Sequence, residues 1–244
     1  MRTFKISLLL IAITNLMACS LDDSEQVIQS ESKNVIMPLG ASRVEGARPE
    51  FESYRYELWK LLVDKNFDID FIGTNKDYAQ YNNYLGKSFD PDHEGWSGWT
   101  SGEINRRINK WLNQISMPDI VLFSTPGGND ALQNLSYDKA ISNVNEIIDK
   151  IQSVNPNVTI IIESPAPAHS SIMQAPLSTF LSNMQDDVVT IAKNKSTPTS
   201  MIIVADMASG FGDDHLADDV HYNEAGARLI ASKYFKILEN VLKN

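Results

Sequence analysis

The chain has 244 residues, 43% of them hydrophobic, and a formal net charge of −10. That length can bury a sizeable core in one domain, and the acidic balance excludes nucleic acid as a natural partner, because phosphate backbones call for a basic face. Cys19 is the only cysteine, which excludes an internal disulfide and a thiolate metal cluster.

The chain opens with MRTFKISLLLIAITNLMACS, a basic start at Arg2 and Lys5, an apolar run and small residues before Cys19. This is the pattern of an export signal, and its apolar run is shorter than the ~20 residues that span a bilayer comfortably. The segment LMAC resembles a bacterial lipobox, which predicts a signal peptide over residues 1–18 and a lipid-bearing Cys19. Setting residues 1–18 aside removes two basic and no acidic residues, so the net charge moves from −10 to −12. Residues 19–33 are polar and without sustained periodicity, as in a flexible tether, and the folded domain is predicted over residues 34–244. The expected location is that of an exported lipoprotein of the outer membrane, facing the periplasm or the cell surface. Contact with the membrane is then through the lipid anchor only.

From Asn34 onward short apolar runs alternate with longer amphipathic stretches. The runs VIMPL, IDFIG, DIVLFS, VTIIIES and MIIVAD are rich in Ile and Val and predict buried strands. Between them, apolar residues at three-to-four spacing predict helices. They run through Phe51, Tyr54, Leu58, Leu61 and Leu62, through Ile104, Ile108, Trp111 and Leu112, and through Ile141, Val144, Ile148 and Ile151. Two further helices are predicted over Leu177 to Lys193 and Asn223 to Leu242. Strands alternating with helices imply an α/β fold, a five-stranded parallel sheet covered on both faces.

In such sheets ligands bind beyond the carboxyl ends of the strands, so the segments that follow the strands are the places to look for chemistry. After the first strand comes PLGASRVEG, where Ser42 stands between Gly40 and Gly46 in what is equally a plain turn. After the second runs a long polar segment, Thr74 to His93, leading into HEGWSGWTSGEI. A helix starting near Gly98 leaves backbone N–H groups free to face an anion. Its aromatic residues Tyr78, Tyr81, Tyr84, Trp96 and Trp99 could form a stacking platform for sugar rings or simply pin the loop. After the third strand, STPGGND offers the side-chain amide of Asn129, in a stretch that is also a natural Gly-Asn-Asp turn. After the fifth, LADDVHYNEAG sets Asp218 three residues before His221, with Asn223 placed to cap the last helix. A serine, a histidine with a carboxylate partner and two oxyanion donors on one rim make up an acyl-transfer site.

In the order Gly40-Ala41-Ser42, then Gly98, then Gly127-Gly128-Asn129-Asp130, then Asp218-Asp219-Val220-His221, the chain resembles the SGNH hydrolases, also called GDSL-type esterases and lipases. The segments PLGASRVEG, HEGWSGWT and DDVHYNEAG are similar in particular to the acetylxylan esterase and carbohydrate deacetylase branch. The resemblance implies a three-layer, flavodoxin-like α/β/α sandwich and a serine esterase that removes acetyl or other short acyl groups from carbohydrate. It implies Ser42 as nucleophile, His221 as base and Asp218 as its orienting partner. The backbone N–H groups of Ser42 and Gly98 with the amide of Asn129 would form the oxyanion hole. Trp96, Trp99 and Arg43 are the expected substrate contacts, an acetylated oligo- or polysaccharide the expected partner, and a monomer the expected state. No cofactor and no metal are called for.

The pattern departs from the family at Ala41, where aspartate is usual, at Arg43, where a small or apolar residue is usual, and at Asp219, where glycine is frequent. Ala41 and Arg43 motivate a rival reading, a surface lipoprotein that binds glycan without cleaving it. An esterase acting on lipids or thioesters is a third, and it would need an apolar acyl pocket where the loop before Gly98 is polar and aromatic. The stretch DDHLADDVH suggests a metal site only through its density of carboxylates, since it lacks a helical two-histidine spacing. His93, His169 and His215 are expected as polar loop residues, with His169 a candidate for a cleft wall.

Overall fold

The computed structural model describes residue 27 and residues 29–243. The predicted signal peptide and Cys19 lie outside the described residues. Part of the expected tether does not. Gln29 Oε1 accepts from the N–H of Met117 at 3.5 Å, Ser30 N–H donates to Ser116 Oγ at 2.8 Å, and Lys33 N–H donates to Asp68 at 3.2 Å. These bonds fasten residues 29–33 to the domain, so the docked chain starts before Asn34. Among the described residues no helix is long and apolar enough to cross a membrane.

Strands β1 (Asn34–Gly40), β5 (Ile120–Phe123), β6 (Thr159–Ser164) and β7 (Ile202–Asp206) pair in parallel in that spatial order. The other edge of β1 is shared. Its first residues, Asn34 to Ile36, pair with β2 (Ile69–Phe71), and its last, Leu39 and Gly40, pair with β4 (Asp92–Gly95). A two-residue strand, β3 (Asn75–Lys76), runs antiparallel on β4, giving seven strands where the sequence predicted five. The reason is local. Gly73 lies so close to β4 that a Cβ there would fall 1.9 Å from the carbonyl oxygen of His93, so only glycine lets the chain leave the sheet at that point. Strand β4 has the sequence DHEG, whose polar side chains carry no apolar signal; inside the fold Glu94 accepts bonds from Thr74 and Trp96, and His93 Nδ1 accepts one from Gly95.

Alternation along the strands sends side chains to opposite faces. Val35, Met37, Leu39, Val121, Phe123, Ile160 and Ile162 pack under α3 (Ser101–Leu112), α5 (Tyr137–Val154) and α6 (Leu177–Lys195). Ile36, Ile120, Leu122 and Ile161 face α2 (Arg55–Asp64) and α7 (Glu224–Leu238). The result is the three-layer α/β/α architecture, with five parallel strand positions once β2 and β4 are counted as one. Burial of each such aliphatic side chain contributes about 1.5–3 kcal/mol. Two short helices, α1 (Ser42–Glu45) and α4 (Gly128–Leu132), stand at the carboxyl ends of β1 and β5.

Candidate active site

Strand β1 ends at Gly40 and turns at once into α1. A Cβ on Gly40 would meet Val44 Cγ2 at 2.8 Å and the carbonyl oxygen of Ser124 at 3.0 Å, so this close approach admits only glycine. Ala41 occupies the position before the helix and makes no side-chain cap. Ser42 is therefore the first residue of α1, where its N–H has no acceptor within the helix and faces outward. The missing aspartate does not prevent the turn from forming.

The hydroxyl of Ser42 lies 2.9 Å from His221 Nε2, and His221 Nδ1 lies 2.7 Å from Asp218 Oδ2. The other carboxylate oxygen, Asp218 Oδ1, accepts from the backbone N–H groups of Val220 at 2.8 Å and His221 at 2.7 Å. Burial works to raise the Asp218 pKa, but the bonds from His221 and the two amides outweigh it and hold the carboxyl below its ordinary value. A carboxylate on Nδ1 fixes that nitrogen as donor and leaves Nε2 to accept from Ser42. The imidazole is clamped from its flat side as well, because the Phe51 ring stacks on it with centroids 3.8 Å apart and planes at 12°. Asn223 caps α7 through its bond from Gly226 N–H at 3.0 Å, which ends the loop carrying the histidine.

Asn129 sits in α4 after a turn in which Gly127 takes φ +71°. Its amide nitrogen donates one hydrogen to the carbonyl of Trp99 at 2.8 Å, leaving the second free. The neighbouring Asp130 reaches the same loop from beneath, accepting from Ser101 N–H at 2.7 Å and Ser101 Oγ at 2.8 Å. Thr100, two residues after Gly98, forms with Glu103 the capping box that starts α3. Gly98 is exposed with φ +78°, and a side chain built there would meet nothing, so its conformation rather than its packing calls for glycine.

The expected substrate contacts separate. Arg43 is buried, and each of its guanidinium nitrogens is engaged: Nε donates to the carbonyl of Val220 at 2.8 Å, and the two Nη atoms donate to Ala166 at 2.9 Å and Pro167 at 3.0 Å. It joins the serine turn to the histidine loop, and it also lines the cleft, so a contact with substrate and a structural role meet in one side chain. Trp96, Trp99 and the buried Trp111 stack on one another with centroids 5.2 to 5.9 Å apart. Trp96 also donates Nε1–H to Glu94 at 2.6 Å, so it backs Trp99, and of these three indoles only Trp99 reaches the cleft. Tyr81 and Tyr84 turn away to Asp77 and Asp64.

Ser42, Trp99 and Asn129 border a cleft of about 680 Å³ that includes its open mouth. Beside that polar lip, Ile104, Leu132, Leu177 and Leu181 form an apolar wall, which the polar loop before Gly98 did not lead one to expect. His169 bonds to Ser171 at 2.7 Å, and it is the neighbouring Ala168 that lines the cleft. His215 engages Asp214 at 2.9 Å. His93, expected on a loop, is wholly buried in β4. Its Nδ1 accepts from Gly95 N–H at 3.0 Å, and burial pushes its pKa down to about 2.

Sequence reasoning passed over four residues that hold this site. Phe51 fits the helix stripe by its spacing but lies on His221. Fully buried Arg55 donates to the carbonyls of Val44 at 2.7 Å and Glu45 at 2.9 Å in α1 and pairs with Asp77 at 2.8 Å. Asp130 ties α4 to the Gly98 loop, and Glu163 lies beneath the turn that precedes Asn129. A charged residue directly after three isoleucines in a strand, as Glu163 is in TIIIES, was the available signal.

Comparison with known proteins gives the family of the chain. The chain is similar to a solved carbohydrate esterase family 3 from Talaromyces cellulolyticus, with 27% identity, a TM-score of 0.74 and coverage of 85% of this chain and 97% of that one. It is similar also to a family 3 carbohydrate esterase of Clostridium thermocellum, with 30% identity, a TM-score of 0.67 and coverage of 86% and 99%. An Acetivibrio thermocellus protein provisionally named endoglucanase X is 28% identical over 141 residues, and that match spans 58% of each chain. Residues 40–229, which hold Ser42, Gly98, Asn129, Asp218 and His221, match the GDSL-like Lipase/Acylhydrolase family, and the chain belongs to that family of hydrolases.

Proposed function

We propose that this chain is a serine esterase that removes acetyl or other short acyl groups from carbohydrate. The observation that carries the reading is the continuous chain from Ser42 Oγ through His221 to Asp218, at 2.9 Å and 2.7 Å. The solved carbohydrate esterases to which the chain is similar support the substrate class.

Ser42 Oγ attacks the ester carbonyl as His221 Nε2 takes its proton, and Asp218 holds the imidazolium in place. The oxyanion receives hydrogen bonds from the N–H groups of Ser42 and Gly98 and from the free hydrogen of Asn129 Nδ2. Each such donor lowers the barrier by about 3 kcal/mol. His221 returns the proton to the sugar oxygen, which leaves as the alcohol. A water then attacks the acyl-serine while His221 takes its proton, and the acid departs with Ser42 restored.

The test is release of acetate from acetylated xylo-oligosaccharides, and of chromophore from an aryl acetate, by the protein and its Ser42→Ala variant. The parent is expected to cleave both, and the variant to lose ~10⁴-fold or more in kcat. An inactive parent that still binds the oligosaccharide points instead to the glycan-binding lipoprotein. The apolar wall favours a second reading, an esterase for longer acyl chains. Aryl esters of increasing chain length separate the two, since a deacetylase loses rate beyond acetyl.

A further inference from the structure

Glu163, on β6, has none of its surface exposed, and no Lys or Arg pairs with it among the described residues. Its charge is met instead by three neutral donors. Tyr234 OH bonds Oε1 at 2.7 Å, while Thr125 bonds Oε2 twice, through its N–H at 2.7 Å and its hydroxyl at 3.0 Å. A buried carboxylate without a cation is costly to keep, and a well-packed apolar side chain would ordinarily serve a strand better. The structure shows what this carboxylate holds. Thr125 has φ +43°, a left-handed conformation that a β-branched residue rarely adopts. From Thr125 the chain turns tightly, with Gly128 N–H donating to the Thr125 carbonyl at 3.1 Å, and the next residue is Asn129.

We propose that Glu163 is a positioning residue for the oxyanion hole: it holds Thr125 in the left-handed conformation from which α4 starts, and so aims the free hydrogen of Asn129. The inference rests on the esterase reading. Two acceptor contacts on one oxygen hold both the backbone and the side chain of Thr125, which a neutral amide cannot do equally well. A glutamine can keep its one oxygen on Thr125 and donate from its NH₂ to the Tyr234 hydroxyl, but it loses the charge that strengthens both Thr125 bonds. The bond to Tyr234 is the separate, structural half of the arrangement, since it fastens α7 to β6.

The experiment compares Glu163→Gln, Tyr234→Phe and Glu163→Gln/Thr125→Gly with the parent, measuring kcat and KM on an aryl acetate and Tm. Glu163→Gln is expected to lose about 10-fold or more in kcat with KM within about 2-fold, the split of a group that acts on the transition state. Tyr234→Phe lowers Tm with little change in kcat. Glycine at position 125 adopts the left-handed conformation unaided, so the double variant regains several-fold of the lost kcat. Should Glu163→Gln fail to fold, Thr125→Val, which removes only the hydroxyl donor, is expected to lower kcat several-fold. A folded Glu163→Gln with parental kcat overturns the proposal, as does a double variant no better than the single one. The side-chain amide resonances of Asn129, recorded without substrate, shift in Glu163→Gln and return in the double variant. Their constancy overturns the coupling whether or not the protein cleaves esters, whereas an inactive parent with shifting resonances overturns only the esterase reading.

Discussion

Two of the turns that build this site stand at the carboxyl ends of neighbouring strands, and they are held by opposite charges. The turn after β1, which presents Ser42, and the loops around it are fastened by arginines. Arg55 donates to the carbonyls of Val44 and Glu45, and Arg43 to those of Val220, Ala166 and Pro167. The turn after β5, which presents Asn129, is fastened by carboxylates, with Glu163 accepting from Thr125 and Asp130 accepting from Ser101. The backbone explains the difference. Where the buried chain leaves carbonyls without partners, a guanidinium supplies several donors in a fixed fork. Where it leaves N–H groups without partners, a carboxylate supplies acceptors on both oxygens. Neither turn belongs to a long helix or a ladder that would satisfy it, so each needs a buried ion.

The comparison can be broken at three places. The largest effect is expected at the carboxylate-held turn. Asn129→Ala removes one oxyanion donor and lowers kcat by ~10²–10³-fold with the fold intact, read from esterase kinetics beside an unchanged Tm. An equal effect on KM instead would make Asn129 a substrate-binding group. At the arginine-held turn, Arg43→Lys keeps the charge and loses the fork. It leaves buried carbonyls unsatisfied and lowers stability by about 2–3 kcal/mol in denaturant unfolding. A variant of parental stability whose KM for acetylated oligosaccharide rises would make Arg43 chiefly a substrate contact.

The smallest effect tests a third strand end, where the pairing rule fails. His93 in β4 accepts a bond at Nδ1, but Nε2 is buried with no partner among the described residues. Its folded pKa, lowered to about 2, lies below the unfolded value near 6.5, so below that value the unfolded chain binds a proton that the folded chain refuses. Stability contributed by the neutral ring is complete above about pH 7 and falls by about 1.4 kcal/mol per pH unit as the pH drops below about 6. His93→Phe removes that term. Chemical denaturation of the variant at pH 7 and pH 5 is expected to show a shallower loss than the parent, and equal slopes would mean that His93 accepts a proton in the folded state.

Much of this was legible in the chain itself. Apolar runs such as VTIIIES and three-to-four spacing such as Ile104, Ile108 and Trp111 are local properties that survive into the fold, which is why the parallel order and both helical layers follow from them. The strand DHEG escaped, because its burial goes with bonds that Glu94 accepts from Thr74 and Trp96 and not with apolar periodicity. Phe51 escaped for the opposite reason. Its spacing fitted the helix stripe, yet the chain reaches α2 only at Arg55 and leaves the ring free to stack on His221.

The sequence by itself determined the α/β alternation, the residues that could do acyl-transfer chemistry and their gathering on one rim, because strand ends and turn residues are set within a few positions of the chain. Only the tertiary structure decided which charged residues serve the reaction and which hold the backbone. Arg43 stands beside Ser42 in sequence, and its role depends on carbonyls at positions 166, 167 and 220. Glu163 depends in the same way on Thr125 and Tyr234. A side chain's hydrogen-bonding capacity is local, but the groups that exhaust it come from wherever folding brings the backbone, and no spacing in the sequence records that.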